Sequence, residues 1–490
     1  VGTFYVENFG CRATQADGAA IERQFEQRGL ERAAAPRDAQ VVVLNTCTVT
    51  ASADQDARAA IRRIHRQNPG AQIVVTGCYA QRAPNEIAAL PGVTQVVGNS
   101  HKHQLAEIAA FAPEGFPAAR DPEFSAASPA TSFVPVARLA IGEPQQAATF
   151  VSDIFAHTEL FAAPVFDAAN ERTRPNLKVQ DGCDNRCSFC VIPYVRGQSR
   201  SLRLDQVLAE VNALVDAGYR EVVISGINLG RWGRDLPVGS SSSLVNGKPG
   251  FLASGQTSTA NDQRLEFLIH AILDQTPLEK LRISSVEPMD WSDALIGLVA
   301  GSARIAKHAH VPMQSGSDRI LRAMHRRYRP WHYREKIEKI RDAMPAAAIG
   351  ADVMVGFPGE TDVDFDETRQ MIEDLPFTYL HVFTYSARPG TPAAAMRNQI
   401  PVPVARERNR ILRELASEKK LAFMRSFIGK PLDAITLNVT SQNGSGEYTE
   451  ALTDNYLKLR LKGRHAANHW ITAEIDGVED GCLVGAKKGR

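Results

Sequence analysis

The sequence predicts an α/β protein in three folded parts: a parallel-sheet α/β domain, a partial (β/α)6 barrel and a small OB-like β-barrel. Three observations predict it. Short Val- and Ile-rich runs alternate with helical patterns, the signature of parallel sheets built from strand–helix–strand units. These runs fall in two groups, 1–111 and 176–425, divided by an Ala- and Pro-rich stretch at 112–175. From 426 to 490 the pattern becomes short strands separated by turn residues such as "SQNGSGE", which suits a small closed β-barrel. A length of 490 residues is enough for about three domains.

Composition excludes several classes. With 44% apolar and 23% charged residues the chain reads as globular, and a net charge of +1 gives no global basic field. Any RNA contact must come from local patches. The opening "VGTFYVENFGCRATQADG" has no basic start followed by an apolar core, and no run reaches the roughly 18 apolar residues of a membrane span. The expectation is a cytoplasmic monomer with no membrane contact. Seven cysteines, an odd number, argue against a disulfide framework and for metal or catalytic use in a reducing compartment. Cys482 stands apart from the other cysteines and reads as a small buried hydrophobe.

In the first part, three segments share one layout: "TFYVENFGC" ends on Cys11, "VVVLNTC" on Cys47 and "QIVVTGC" on Cys78. In open parallel sheets, ligand sites lie beyond the carboxyl ends of strands, where all three cysteines fall. The alternative is three unrelated buried thiols. A helix is predicted over 51–67, with Ser52 and Asp54 as start signals. Residues 112–175, with Pro113, Pro117, Pro122, Pro129, Pro135 and Pro144, read as a linker or extended insertion.

In the second part, strands are predicted at 177–180, 221–225, 281–285, 308–312, 349–355 and 379–385. Six βα units make an incomplete relative of the (β/α)8 barrel, with its active site at the carboxyl ends of the strands. The first strand runs into "DGCDNRCSFCVIPYVRG", which carries Cys183, Cys187 and Cys190. The Gly/Ser-rich stretch 237–261 is a surface insertion, and 403–425 a charged helix. In the last part, Lys458, Arg460, Lys462 and Arg464, with His465, form a basic stripe near Tyr456 and Trp470. It reads either as a solvated strand face or as an RNA grip combining cations and stacking.

Closed zinc sites and ordinary iron–sulfur clusters take four protein ligands. Three thiolates on one short loop leave a coordination position open for chemistry. A zinc site completed by a distant His is the competing reading.

The C-x3-C-x2-C loop, with Phe189 before its last cysteine, resembles the radical S-adenosylmethionine (SAM) enzymes. The resemblance implies a 4Fe-4S cluster whose fourth iron holds SAM. It also implies reductive cleavage of SAM to a radical that abstracts hydrogen from an unactivated C–H bond. The N-terminal trio and the C-terminal barrel narrow this to a resemblance to the methylthiotransferases, in which the last module is called a TRAM domain. The motifs are "NTCTVT" (45–50), "TGCYAQ" (76–81), "GCDNRCSFC" (182–190), "HVPMQSGS" (310–317), "DVMVGFPGET" (352–361) and "YSARPGTPAA" (385–394). The resemblance covers the chain except 112–170 and 237–261. It implies two 4Fe-4S clusters, the auxiliary one held by Cys11, Cys47 and Cys78, and conversion of C–H to C–S–CH3. The implied partners are tRNA, an electron donor such as flavodoxin or ferredoxin, and a sulfur source.

Family branches differ in substrate: isopentenyladenosine or threonylcarbamoyladenosine 3′ of the tRNA anticodon, or an aspartate of a ribosomal protein. "NTCTVT", "GCYAQ" and "HVFTYSARPGTPAA" are most similar to the threonylcarbamoyl branch. Phe189, Ser284, Glu287, Gln314 and Asp352, all assigned to the cluster loop or strand ends, are the expected cofactor-binding residues. Ser315 and Ser317 share their turn. The alternative for each is turn formation. "GFPGE" lacks the lysine of a phosphate loop and reads as a barrel turn. Arg326, Arg327 and Arg329 are expected either at phosphates or at a helix end. Arg196, Arg200 and Arg388 are positional candidates for a substrate carboxylate. A non-catalytic iron–sulfur RNA-binding protein is the alternative from a different class.

Overall fold

The computed structural model describes residues 2–110, 147–157, 160, 174–236, 244–245, 248–249, 264–443 and 446–488. Most of the insertion at 237–261 and most of 112–175 lie outside them. The chain divides into two compact units, Val1–His157 and Thr158–Arg490.

The first unit is a parallel sheet of six strands: β1 (Thr3–Asn8), β2 (Glu31–Arg32), β3 (Val41–Thr46), β4 (Gln72–Gly77), β5 (Val93–Val97) and β6 (Ala148–Phe150), in the order β2-β1-β3-β4-β5-β6. Its central strand β3 is buried along its whole length, so it reads as a continuous apolar run rather than an alternation. Helix Ala51–Gln67 packs Ala57, Ile61 and Ile64 against Val42, Leu44, Ile73 and Val75. Thr50 caps it, accepting from the Ala53 amide at 3.2 Å. Neither predicted start signal does so: Asp54 instead accepts from Thr48 Oγ1 at 2.6 Å and pairs with Arg82. The predicted linker also contains structure, because β6 pairs in parallel with β5 at Gln95↔Ala148.

The second unit holds the partial barrel. Its parallel strands are β7 (Asn176–Asp181), β9 (Glu221–Gly226), β12 (Lys280–Ile283), β13 (His308–His310), β14 (Ala348–Val355) and β15 (Tyr379–Thr384). A short strand β8 (Arg200–Ser201) runs antiparallel on the edge of β7, and a two-stranded ribbon, β10 (Leu244–Val245) with β11 (Lys248–Pro249), lies in sequence between β9 and β12. The sheet runs β8-β7-β9-β12, then β13-β14-β15, and parallel bridges Leu281↔Ile305 and Ser285↔His310 join the halves. Leu281, Ile283, Ala309, Ile349, Ala351 and Val353 share a core with covering helices such as Leu265–Gln275 and Pro330–Ala343. The alternate residues of each strand therefore face the barrel interior.

The last five strands are β16 (Pro431–Asn443), β17 (Gly446–Thr453), β18 (Lys458–Lys462), β19 (Trp470–Glu479) and β20 (Cys482–Lys487). They close as β16-β17-β18-β20-β19, the small barrel the turn pattern predicts. This barrel docks on the amino-terminal ends of the larger barrel's strands. Lys280 pairs with Asp454 at 3.1 Å, Arg282 Nη1 donates to the Asp454 carbonyl at 3.1 Å, and Asn455 Nδ2 donates to the Ala346 carbonyl at 3.0 Å.

Candidate active site

The cluster loop begins where β7 ends. Gly182 has φ +71, and a Cβ there would lie 1.8 Å from the Gln198 carbonyl oxygen; only glycine allows this turn. The Cys183 amide donates to the Gly197 carbonyl at 3.0 Å, tying the two ends of the loop together. Below it, Asp181 accepts from Lys178 at 2.7 Å and from Arg196 at 3.0 Å. Burial by itself would raise this carboxyl, but Arg196, Lys178 and Arg200 outweigh it and hold the group well below the usual carboxylate range. The loop's middle is pinned from outside: the Ser188 amide donates to the Met324 carbonyl at 3.1 Å, and the Ala393 amide donates to the Ser188 carbonyl at 2.8 Å.

Cys187 sits close enough to Cys183 and Cys190 for its charge to raise both of their thiols. Burial raises the Cys183 thiol. Cys190 is partly accessible, yet the protein packed round its sulfur pushes the thiol up to about 12. Iron binding reverses this, since a coordinated thiol is deprotonated outright. Two donors face the sulfurs: Asn228 Nδ2 lies 3.7 Å from Cys183 Sγ and Arg326 Nη1 3.4 Å from Cys187 Sγ. Such N–H···S contacts tune iron–sulfur clusters. Among the described residues no three His, Cys, Asp or Glu side chains gather round a point that one ion could occupy. A 4Fe-4S cluster would fit this donor set, because each thiolate would take a different iron.

The predicted cofactor-binding residues separate into groups. Phe189 packs edge-on to Phe357 at 6.5 Å, beside Met354, and forms an apolar wall. Glu287 pairs with Arg326, whose Nε lies 3.2 Å from Tyr328 Oη. Ser284 is buried just past β12, its amide held by the Ile224 carbonyl at 3.1 Å. Gln314 has φ +63, a left-handed conformation uncommon outside glycine. Its amide donates to the Asp352 carbonyl at 2.8 Å, its carbonyl accepts from the Met354 amide at 2.9 Å, and its buried Oε1 is left without a hydrogen-bond partner among the described residues. Asp352 corrects the sequence reading: it lies within β14, facing the barrel interior, rather than at the strand end. Ser315 and Ser317 form the turn. Ser315 Oγ lies 3.2 Å from Thr368 Oγ1, and Ser317 Oγ donates to Asp364 at 2.7 Å.

The arginine readings also change. Arg326 is buried against Cys187 and Glu287, at neither a phosphate site nor a solvated helix end. Arg196 and Arg200 are committed to the loop: Arg200 Nη2 donates to the Arg196 carbonyl at 2.9 Å. Asn228, and the contact of Arg326 with the cluster loop, escape the sequence reading. Asn228 follows β9, so its strand-end position is a usable signal; Arg326 offers none, because its partner Cys187 is 139 residues away in sequence.

In the first unit, Cys11 is exposed at the start of helix Arg12–Gln27, Cys47 follows β3, and Cys78 opens the helix Cys78–Arg82 after β4. Two glycines let these ends approach. A Cβ on Gly10 would lie 2.9 Å from Cys47 Sγ, and one on Gly77 would lie 2.3 Å from the Thr46 carbonyl oxygen. Asn99 Nδ2 lies 3.6 Å from Cys78 Sγ. Three strand-end thiols repeat the donor set of the second unit.

The basic stripe lies on the outer face of β18, where Lys458 and Lys462 are exposed and Leu459 and Leu461 are buried. Arg460 pairs with Asp480 at 3.0 Å and Lys462 with Asp476 at 2.7 Å. Its supposed aromatic partners turn elsewhere: Tyr456 packs on His308 at 4.7 Å, and Lys280 sits 4.9 Å over the Trp470 ring. Both rings serve the contact between the two barrels.

A family model described as Uncharacterized protein family UPF0004 matches residues 3–98, and one described as Radical SAM superfamily matches residues 177–372. A threonylcarbamoyladenosine tRNA methylthiotransferase of Bacillus subtilis is 33% identical, over 94% of this chain and 91% of its own. A tRNA-2-methylthio-N(6)-dimethylallyladenosine synthase of Novosphingobium aromaticivorans is 31% identical, over 88% of this chain and 86% of its own. Among solved structures, the radical SAM methyltransferase TsrM of Kitasatospora setae shares the fold with a TM-score of 0.50, at 17% identity, over 80% of this chain and 75% of that one. Membership of the radical SAM superfamily assigns SAM and a 4Fe-4S cluster as cofactors. Among the described residues no helix is long and apolar enough to cross a membrane. Strand-end thiols in both units, a partial barrel, a closing β-barrel and relatives matched over nearly the full length all agree: this chain is an enzyme of the radical SAM methylthiotransferase family.

Proposed function

We propose that the enzyme converts C2–H of N6-threonylcarbamoyladenosine, next to the tRNA anticodon, to C2–SCH3. The observation that carries this reading is that relatives named for that nucleoside match at 32–34% identity over 93–99% of the chain. The dimethylallyladenosine branch, at 31–32% identity over 88–97% of the chain, is the second reading.

Cys183, Cys187 and Cys190 would hold the cluster that cleaves SAM, and Cys11, Cys47 and Cys78 an auxiliary cluster. When bound, these groups and SAM supply the radical, the sulfur and the methyl group. The chain's own residues do the rest. Arg326 and Asn228 fix the sulfurs of the first loop through N–H contacts. Gln314 keeps an unpaired buried amide oxygen at the barrel mouth, and Phe189 walls the site with hydrocarbon. A small electron carrier and a sulfur donor complete the cycle, and the stripe on β18 supplies affinity for tRNA.

The test is genetic and chemical. The gene is expressed in cells lacking each tRNA methylthiotransferase, and digested tRNA is examined by mass spectrometry. Return of the methylthio-threonylcarbamoyl nucleoside is expected. Return of only the isopentenyl product would move the substrate to the second reading. Return of neither would point to the ribosomal-protein aspartate.

A further inference from the structure

The interior of a closed (β/α)8 barrel is filled with Val, Ile and Leu. The interior of this partial barrel is not. Its inward positions carry Arg282 on β12 and Ser284 just past it, His308 and His310 on β13, Asp352 on β14 and His381 on β15. Outward neighbours on the same strands are apolar and packed, so the polarity belongs to one face only. A wall of this kind needs a polar occupant, because buried polar groups are costly without partners.

The layers have distinct roles. At the bottom the wall is filled by protein: His308 Nε2 lies 2.6 Å from Tyr379 Oη, and the Tyr456 ring of the small barrel lies tilted against both, at 4.7 Å and 5.9 Å. Gly350 makes room for the Tyr379 ring, since a Cβ there would lie 2.0 Å from the ring. This layer is a floor.

One turn of the pleat higher the wall is open. The His310 side chain is 11% exposed and that of Asp352 28%, while His381, whose ring centroid is 5.5 Å from that of His310, is exposed. Both His310 ring nitrogens are buried without a hydrogen-bond partner among the described residues, although Nε2 lies within ion-pair reach of Asp352 Oδ1 at 3.4 Å. The accessible Asp352 and His381 side chains, with the His310 ring between them, thus place imidazole and carboxylate groups together above the Tyr379 floor.

We propose that His310, Asp352 and His381 form the recognition site for the substituent on N6 of the substrate adenosine. The occupant is a polar group bearing hydroxyl and carboxylate functions rather than a hydrocarbon chain. This rests on the proposed function and deepens it, by giving the threonylcarbamoyl group its contacts. An isopentenyl chain would leave His310 and Asp352 desolvated with no partner beyond each other. A site built for hydrogen bonds rejects such an analogue far more strongly than an apolar pocket rejects a polar one.

The test measures binding by the full-length, cluster-reconstituted protein under anaerobic conditions. Three anticodon stem-loop RNAs are compared by fluorescence anisotropy, with threonylcarbamoyl-adenosine, isopentenyl-adenosine or plain adenosine next to the anticodon. The wild type should bind the threonylcarbamoyl RNA most tightly. His381→Leu should shrink its preference over the isopentenyl RNA by about tenfold or more, while affinity for the plain RNA reports that the protein is folded. His381→Gln, which restores a polar side chain, should keep most of the preference. A preference unchanged in His381→Leu, or lost equally in His381→Gln, overturns the recognition site and leaves the substrate reading standing. Tighter wild-type binding of the isopentenyl RNA overturns both.

Discussion

Asp364 shows how one side chain far from the thiols governs the site. It closes a capping box with Thr361 at the start of helix Asp362–Asp374, pairs with Arg319, and accepts from Ser317 Oγ at 2.7 Å. Burial alone would raise its carboxyl, but the hydrogen bonds from Arg319, Thr361 and Ser317 outweigh it and hold the group below the usual range. A lowered folded value means stability that is fully present above the unfolded value of about 3.9 and lost as pH falls toward the folded one. Asp364→Asn should therefore cost about 2–3 kcal/mol at pH 7, and the gap from wild type should narrow below about pH 4. Urea unfolding at several pH values measures both, and a gap independent of pH would refute the charge-based account. Ser317 belongs to the turn that sets Gln314 in its left-handed conformation, so loosening Asp364 should loosen that amide too. Residues 314–317 are adjacent in "PMQSGS" and look equivalent in sequence. Only Gln314 keeps an unpaired side-chain oxygen, because Ser315 and Ser317 are used up by a helix about fifty residues further on.

At the scale of elements, the thiols are placed by what glycine permits. Gly77 has φ +97 and lies where any Cβ would strike the Thr46 backbone. The close approach brings the end of β4 onto the end of β3, and Cys47 and Cys78 are the next residues. Gly77→Ala should force these ends apart and roughly halve the iron and sulfide bound after reconstitution, leaving the barrel's cluster. Wild-type iron content in that variant would show that the approach is not required. The strand ends themselves were legible, because a Val- and Ile-rich run followed by a glycine turn has the same meaning in any tertiary setting. Asp352 was misplaced for a related reason: it sits in the middle of β14, where a polar residue in an apolar run marks the inner face, not the end.

For the molecule as a whole, the small barrel does two things. Its turn at Asp454–Tyr456 closes the floor of the larger barrel, and its outer face carries the basic stripe. The stripe's reach is restrained by Asp476 and Asp480, which pair with Lys462 and Arg460. If those cations contact phosphate, removing the acids frees them. Asp476→Asn with Asp480→Asn should then tighten tRNA binding and steepen its dependence on salt, because more counterions are released. Unchanged affinity and slope in a binding titration would assign Arg460 and Lys462 to surface solvation.

What the sequence by itself determined is what local pattern encodes. It pointed to three successive folded parts, three cysteines at strand ends, and a C-x3-C-x2-C loop with one coordination position to spare. Periodicity and spacing are properties of neighbours along the chain, and they survive folding unchanged. Tertiary structure decided which neighbours across the chain each polar group meets. It set Arg326 against a thiol 139 residues earlier, tied Arg282 to a carbonyl 172 residues later, and turned Tyr456 and Trp470 toward the contact between the two barrels. It also lined the barrel with His310, Asp352 and His381 from three separate strands. Each of those side chains is unremarkable in its own segment. The curvature of the sheet makes them one surface, and no local pattern records curvature.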